Sequence, residues 1–120
     1  MAKLMIVDDS KMIRKTLRMF LEAGGHEIVA EASDGEEAVE NYKKFKPELV
    51  TMDISMPEMS GLEALRDIIE IDPDAKIIMI SSLNQKDLVI TAIKEGAQSY
   101  LLKPMSKEKT LAEIKKVLEG

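Results

Sequence analysis

The chain has 120 residues, of which 45% are hydrophobic and 32% charged, and these values indicate one globular domain with a buried core and not a disordered chain. The net charge of −5 argues against sequence-independent nucleic-acid binding, because such binding requires basic residues that meet phosphates. No cysteine, signal-peptide pattern or apolar run of membrane-spanning length occurs in the sequence, so we expect a cytoplasmic protein with no disulfide, thiolate metal site or membrane anchor.

Apolar runs that are typical of buried strands alternate with helical patterns along the whole chain. Such runs predict strands over residues 4–7, 27–32, 49–52, 76–80 and 100–102. A stripe of apolar residues at spacings of three and four follows each strand and predicts a helix. Five strands that alternate with five helices through short loops predict an α/β fold, with a doubly wound parallel sheet in a single domain over residues 1–120.

Polar residues at the helix starts supply candidate caps. Ser33 with Glu36, and Ser60 with Glu63, have the spacing of a capping box. Asn84 precedes the fourth helical stripe and is a candidate N-cap. The only histidine, His26, follows a Gly-Gly pair and is interpreted as a solvated loop residue without a catalytic role.

Acidic, hydroxyl and basic side chains follow four of the predicted strands. Asp8 and Asp9 follow the first, Asp53 the third, Ser81 the fourth and Lys103 the fifth. Because the carboxyl ends of parallel strands open on one edge of a sheet, we expect these side chains to gather there. Two like charges about 4 Å apart repel by roughly 4 kcal/mol at an effective dielectric near 20, so the acids must be protonated or must share a cation.

Carboxylate oxygens are hard ligands of the kind that Mg2+ prefers, and Mg2+ is usually held by one or two carboxylates together with waters and phosphate oxygens. Lys103 adds a positive charge near an incoming anion, and Ser81 adds a hydrogen-bond donor. Such a site suits phosphoryl chemistry, in which an exposed carboxylate attacks phosphorus while the cations disperse its negative charge. Asp53 is the predicted nucleophile because it stands alone beyond a buried strand.

These motifs together resemble the response-regulator receiver domain of two-component signalling, and most of all its stand-alone, chemotaxis-type (CheY-type) members. The resemblance spans the whole chain and rests on Asp8-Asp9, on Met52-Asp53 with Met56-Pro57 and Gly61, on Ser81-Ser82, and on residues 100–104. It implies a flavodoxin-like (βα)5 sheet with the strand order 2-1-3-4-5. It also implies a cis bond between Lys103 and Pro104.

The resemblance implies a role for each residue of the site. Asp53 would accept a phosphoryl group from the phosphohistidine of a histidine kinase. Mg2+ would be bound directly by Asp9, Asp53 and the backbone carbonyl of Ser55, and through water by Asp8. Lys103 would pair with Asp53 or with its phosphate.

The resemblance also implies a switch and a set of partners. Ser81 would move to bond the phosphate, and Tyr100 would then rotate inward and change the face formed by residues 84–118. The partners would be a histidine kinase, a downstream protein such as a flagellar motor switch or a phosphotransfer protein, and a phosphatase. We expect no output domain, no binding of nucleic acid or membrane, and no enzymatic activity beyond the protein's own phosphotransfer and dephosphorylation.

Other functions fit parts of the pattern. A single-domain phosphorelay intermediate would use the same residues. A flavin carrier has a similar sheet, but Asp8 and Asp9 would repel its phosphate unless a metal intervened. A small-molecule phosphohydrolase also uses an aspartyl nucleophile, yet the chain has no evident substrate-specificity segment, and the complete acidic set argues against an inactive scaffold.

Overall fold

The computed structural model describes residues 1–56 and 59–120, and in these ranges five strands alternate with five α-helices. Pro57, part of the predicted motif after Asp53, lies outside the described residues. The strands are β1 (Lys3–Val7), β2 (Glu27–Ala32), β3 (Leu49–Asp53), β4 (Ile77–Ser81) and β5 (Ser99–Leu102). The helices are α1 (Lys11–Ala23), α2 (Gly35–Phe45), α3 (Gly61–Ile71), α4 (Lys86–Lys94) and α5 (Lys107–Glu119), with a 3-10 turn (Leu83–Gln85) before α4.

The strands form one parallel sheet in the order β2-β1-β3-β4-β5, which confirms the predicted fold class and strand order. β3 lies at the centre, where Val50 pairs with Met5 on one side and with Ile77 on the other. All five residues of β3 and of β4 are buried, as expected for strands covered on both faces.

Alternate side chains of the central strands point to opposite faces of the sheet and supply two separate apolar cores. One face packs against α2, α3 and α4, and the other packs against α1 and α5. The first core includes Met5, Val7, Val50, Met52, Ile77 and Met79, and the second includes Leu4, Ile6, Leu49, Ile78 and Ile80. The two cores hold the ends of the central strands in fixed positions.

Two predicted helix caps are confirmed or corrected by side-chain contacts. The Ser60–Glu63 capping box is present at the start of α3. At α2 the prediction was wrong by one residue, because the side chain of Asp34 accepts the N–H of Glu37 at 2.8 Å. Ser33 instead donates its backbone N–H to the Glu37 carboxylate at 2.7 Å.

The start of α4 also differs from the prediction. Asn84 lies inside the 3-10 turn and is not the N-cap. Ser82 caps this turn, and its backbone N–H donates to Oε1 of Gln85 at 2.8 Å. The N-cap position of α4 itself is Gln85, which makes no side-chain capping bond, so the assignment of Asn84 as the cap was wrong.

Two further observations concern features outside the central sheet. His26 lies in the loop before β2, as predicted, but it is half-buried and its Nδ1 accepts the backbone N–H of Ala2 at 3.2 Å, so the expectation that it is solvated was wrong. Burial lowers the pKa of His26.

Over residues 1–56 and 59–120, every helix is too short or too polar to cross a membrane.

Candidate functional site

The structure brings the predicted site residues together at the carboxyl edge of the sheet. Asp8 follows β1, Asp53 is the last residue of β3, Ser81 is the last residue of β4, and Lys103 follows β5. Four neighbouring parallel strands therefore each place one of these residues at the same edge, as the sequence predicts. A further acid, Asp9, comes from the turn between β1 and α1.

Three carboxylates form a tight acidic cluster at this edge. Asp8, Asp9 and Asp53 each offer one oxygen, and these oxygens all lie within 4.8 Å of one another. Asp8 is fully buried and Asp53 is 3% exposed, whereas Asp9 is exposed to solvent. Two of the three carboxylates therefore lie away from water. Their mutual repulsion is stronger there than it would be in solvent.

Lys103 is the cation that faces this cluster. Its Nζ lies 3.4 Å from Oδ1 of Asp53 and 3.5 Å from Oδ2 of Asp8. The bond between Lys103 and Pro104 is cis, as the resemblance implies. The backbone N–H of Lys103 donates to the carbonyl of Ser81 at 2.8 Å, which joins the ends of β4 and β5.

Burial changes the proton affinity of both buried acids. Burial and, after it, the nearby charge of Asp8 raise the pKa of Asp53 to about 6, although the Lys103 ammonium lowers it. Burial also raises the pKa of Asp8, against the backbone N–H of Ser10 and the charge of Lys103. With a pKa of about 6, the Asp53 carboxyl group is still largely ionised above neutral pH, and an additional cation would stabilise its charged form.

The cluster fits a hard divalent cation. Oδ2 of Asp8 is buried and accepts no hydrogen bond within the described part of the chain, and its ion pair with Lys103 at 3.5 Å is long, so this oxygen could still bind a ligand or an ordered water. Mg2+ takes oxygen ligands and commonly keeps several waters. The cluster offers carboxylate oxygens, and the exposed carboxylate of Asp9 leaves one side of it open to water. Ser55 is exposed, and its backbone N–H donates to Oδ1 of Asp53 at 3.4 Å. The role of its carbonyl as a metal ligand stays a prediction.

Ser81 and Tyr100 connect the acidic cluster to a cavity beside α4. Oγ of Ser81 is buried and has no hydrogen-bond partner among residues 1–56 and 59–120. Ser81 also lines a cavity of about 190 Å3. Tyr100 lines the same cavity and is 47% exposed. The other residues that line the cavity are Leu83, Lys86, Val89, Ile90 and Leu102.

Gly61 allows α3 to begin directly against the end of β3. A Cβ atom at this position would lie 2.0 Å from the backbone oxygen of Asp53, which is too close for any side chain. The Gly61 N–H donates to the carbonyl of Ile54 at 3.1 Å. The start of α3 is thus bonded to the residue that follows Asp53.

Sequence reasoning missed one residue that contacts the acidic turn. Nη1 of Arg14, on α1, donates to the backbone carbonyl of Asp8 at 2.7 Å. In the sequence, Arg14 is one basic residue among several on an amphipathic helix. Its contact depends on how α1 lies across the end of β1, and a single sequence gives no signal of that.

A doubly wound parallel sheet whose carboxyl edge carries three acids and a lysine defines a receiver-type domain. The model of one family, the response regulator receiver domain, matches residues 4–115. The chain belongs to this family.

Comparisons with individual proteins agree with this assignment. The chain is 44% identical to the chemotaxis protein CheY of Thermotoga maritima over 115 residues, which are 96% of each chain. It is 43% identical to protein CcdB of Bacillus subtilis over 118 residues, or 98% of each chain. Among solved structures, it is similar to the CheX-CheY-BeF3-Mg+2 complex from Borrelia burgdorferi, with a TM-score of 0.92 and 38% identity over 96% of this chain and 87% of that chain.

Proposed function

We propose that this chain is a phosphorylation-controlled signalling protein in which Asp53 accepts a phosphoryl group from the phosphohistidine of a histidine kinase. The observation that carries the proposal is the position of Asp53, which closes the central strand within the acidic cluster and 3.4 Å from Lys103. We also propose that the protein assists only its own phosphotransfer and dephosphorylation, and does not turn over free substrates.

The proposed transfer uses the Asp53 carboxylate as the nucleophile. One of its oxygens forms a bond to phosphorus while the phosphorus–nitrogen bond of phosphohistidine breaks, and the released imidazole nitrogen takes a proton. Lys103 stays beside the Asp53 oxygen and faces the incoming anion. When bound, Mg2+ would supply positive charge that offsets the charge of the phosphoryl oxygens, and its ligands would be Asp9, Asp53 and the Ser55 carbonyl, with Asp8 acting through water.

The proposed output is a change in the face formed by residues 84–118. A phosphoryl group adds close to two negative charges and three acceptor oxygens, and the buried Ser81 hydroxyl is available to donate to one of them. Movement of Ser81 would open the cavity to Tyr100, whose side chain lies at the cavity with 47% of its surface exposed. Leu83, Ile90 and Leu102 line the same cavity and are exposed, so this rearrangement would change an apolar surface.

Chemotaxis is the process that we infer for this switch, with a flagellar motor component as its target in the cytoplasm. The identity of 44% to the CheY protein of T. maritima supports this inference. The B. burgdorferi structure contains CheX bound to CheY, which supports a second protein partner, such as a phosphatase, for a chain of this kind. A single-domain phosphorelay intermediate would use the same acidic cluster and Lys103, and it is the second candidate.

Labelling with a small phosphodonor and Mg2+ tests the assignment of Asp53. The wild type should form an acyl phosphate that is stable to acid and labile to base, and Asp53→Asn should form none. Asp74→Asn is the matched control, because Asp74 is an exposed acid in the turn before β4, at the opposite edge of the sheet. Undiminished labelling of Asp53→Asn would remove Asp53 from this role.

A pull-down from cell extract separates the two candidate processes. The protein is presented with and without beryllofluoride and Mg2+, which together mimic the phosphorylated state. Enrichment of a flagellar motor component supports chemotaxis, and enrichment of a phosphotransfer domain supports a phosphorelay.

A further inference from the structure

Arg14 joins the acidic turn to the neighbouring strand β2 through two hydrogen bonds. Nη1 donates to the backbone carbonyl of Asp8 at 2.7 Å, and Nε donates to Oε1 of Glu31 at 3.0 Å. The Arg14 side chain is only 18% exposed, so both bonds are largely sheltered from water. Arg14 lies on α1, Asp8 follows β1 and Glu31 lies on β2, so one guanidinium connects three elements.

The carbonyl that Arg14 binds belongs to the peptide group that joins Asp8 to Asp9. The other polar groups of Asp8 on this side are also held, since its N–H donates to the carbonyl of Ala32 at 3.0 Å and its Oδ1 accepts the N–H of Ser10 at 2.9 Å. The bond from Arg14 therefore fixes the one backbone group of Asp8 that these contacts leave free. The orientation of this peptide group determines where the Cα of Asp9 lies.

Glu31 holds the guanidinium of Arg14 in place from the other side. Oε1 of Glu31 binds Arg14, and Oε2 binds Nε of Arg18 at 2.8 Å. Arg18 thus contacts the same carboxylate but donates no hydrogen bond to Asp8. The chain offers two arginines one helical turn apart, of which only Arg14 binds the acidic turn.

We propose that Arg14 is a positioning residue for the metal site, and that its two-way hydrogen bonding holds the peptide between Asp8 and Asp9 in the orientation that Mg2+ binding requires. This inference rests on the proposed function, because it concerns the same acidic cluster. Groups that orient metal ligands without touching the metal commonly contribute about tenfold or more to metal affinity.

The geometry explains why the residue is arginine. A planar guanidinium presents donors in two directions at once, and here one donor faces a carbonyl and the other a carboxylate. A lysine ammonium keeps the positive charge but lacks this fixed fork. The substitution Arg14→Lys therefore separates the effect of positioning from the effect of charge.

Calorimetric titration of the metal-free protein with Mg2+ tests the inference, using Arg14→Met, Arg14→Lys and the matched control Arg18→Met. The two Arg14 variants should raise the Kd for Mg2+ by about tenfold. Arg18→Met removes the other arginine on Glu31 and should leave the Kd close to the wild-type value. Urea unfolding of each variant shows whether it is folded during the titration, and Arg14→Lys carries the test if Arg14→Met does not fold.

Several outcomes would overturn the inference. A wild-type Kd in Arg14→Met would do so even if that variant were less stable, because a merely structural role lowers stability without weakening the metal site. A wild-type Kd in Arg14→Lys alone would show that charge suffices and would refute positioning by the fork. A wild-type protein that binds no Mg2+ would overturn the proposed metal site together with this inference, so the two failures are distinguishable.

Discussion

Lys103 and Asp53 lie in contact, with Nζ of the lysine 3.4 Å from Oδ1 of the aspartate. The same ammonium lies 3.5 Å from Oδ2 of Asp8. One cation therefore serves two buried carboxylates, and it cannot neutralise both. Burial and, after it, the charge of Asp8 outweigh this contact, so the pKa of Asp53 is raised to about 6.

Removal of this cation should make Asp53 a weaker acid. Lys103→Met keeps the length of the side chain but loses its charge, so we expect the pKa of Asp53 to rise above about 6 in the absence of metal, because Lys103 lowers it in the native protein. Carbon-13 NMR of the Asp53 carboxyl group measures this value directly. Lys107→Met, at an exposed position on α5, is the control and should not change it. An unchanged or lower pKa in Lys103→Met would contradict the electrostatic role of Lys103.

The raised pKa of Asp53 also predicts how stability changes with pH in the absence of metal. A carboxyl group whose pKa is higher in the folded state than in the unfolded state binds protons more tightly when folded. Its contribution to stability is therefore present below the unfolded value of about 4 and is lost as the pH rises through about 6. The difference between a pKa of about 4 in the unfolded chain and about 6 in the folded one corresponds to about 3 kcal/mol of folding free energy.

Asp53→Asn should remove the loss of stability that ionised Asp53 causes at higher pH. Without Mg2+, we expect the variant to exceed the wild type in free energy of unfolding by on the order of 2–3 kcal/mol at about pH 8, and by less at about pH 4.5. Urea unfolding at the two pH values measures the difference, with the exposed Asp74→Asn as control. Equal free energies of unfolding for Asp53→Asn and the wild type at the higher pH would show that the ionised Asp53 carboxylate does not destabilise the fold.

The residue pattern predicted the α/β class and the meeting of the acids with Lys103 at one edge of the sheet, whereas the strand order was implied by the family resemblance. The apolar runs of β3 and β4 lack polar alternation because both faces of the sheet are covered, and so they are recognisable without coordinates. Asp53 and Lys103 could be placed together for a related reason, since the ends of parallel strands share one edge. Residues that are far apart in the sequence, such as Asp53 and Lys103, are therefore neighbours in the parallel sheet.

Other features depend on local competition or on side-chain direction, and could not be predicted. Ser33 and Asp34 are adjacent and both suited to cap α2, and only the backbone geometry selects Asp34. The bond from Arg14 to Asp8 requires knowledge of where a long side chain ends.

A buried hydroxyl in β3 predicts a stabilising substitution. Oγ1 of Thr51 is buried and has no hydrogen-bond partner in the described ranges. Thr51→Val has nearly the same shape and removes this unsatisfied group, so we expect the free energy of unfolding to rise by about 1 kcal/mol. The control is Thr110→Val, because Oγ1 of Thr110 donates to the Ser106 carbonyl at 2.7 Å and its loss should destabilise the fold. Urea unfolding compares the two variants, and a destabilised Thr51→Val would show that the hydroxyl is satisfied in solution, for example by water.

The proposed coupling between Ser81 and Tyr100 predicts a spectroscopic change that depends on both residues. The chain has only two tyrosines, so fluorotyrosine labelling gives two fluorine NMR signals, one from the exposed Tyr100 and one from the buried Tyr42. Beryllofluoride with Mg2+ should shift the Tyr100 signal and reduce its solvent accessibility as the ring enters the cavity of about 190 Å3, while the Tyr42 signal serves as an internal control. In Ser81→Ala the shift should be much smaller, because no hydroxyl is drawn toward the phosphate mimic to open the cavity. The fold should be retained, since the hydroxyl that is removed has no hydrogen-bond partner among the described residues. A Tyr100 signal that stays unchanged in the wild type, or that shifts equally in Ser81→Ala, would separate these two residues and refute the coupling.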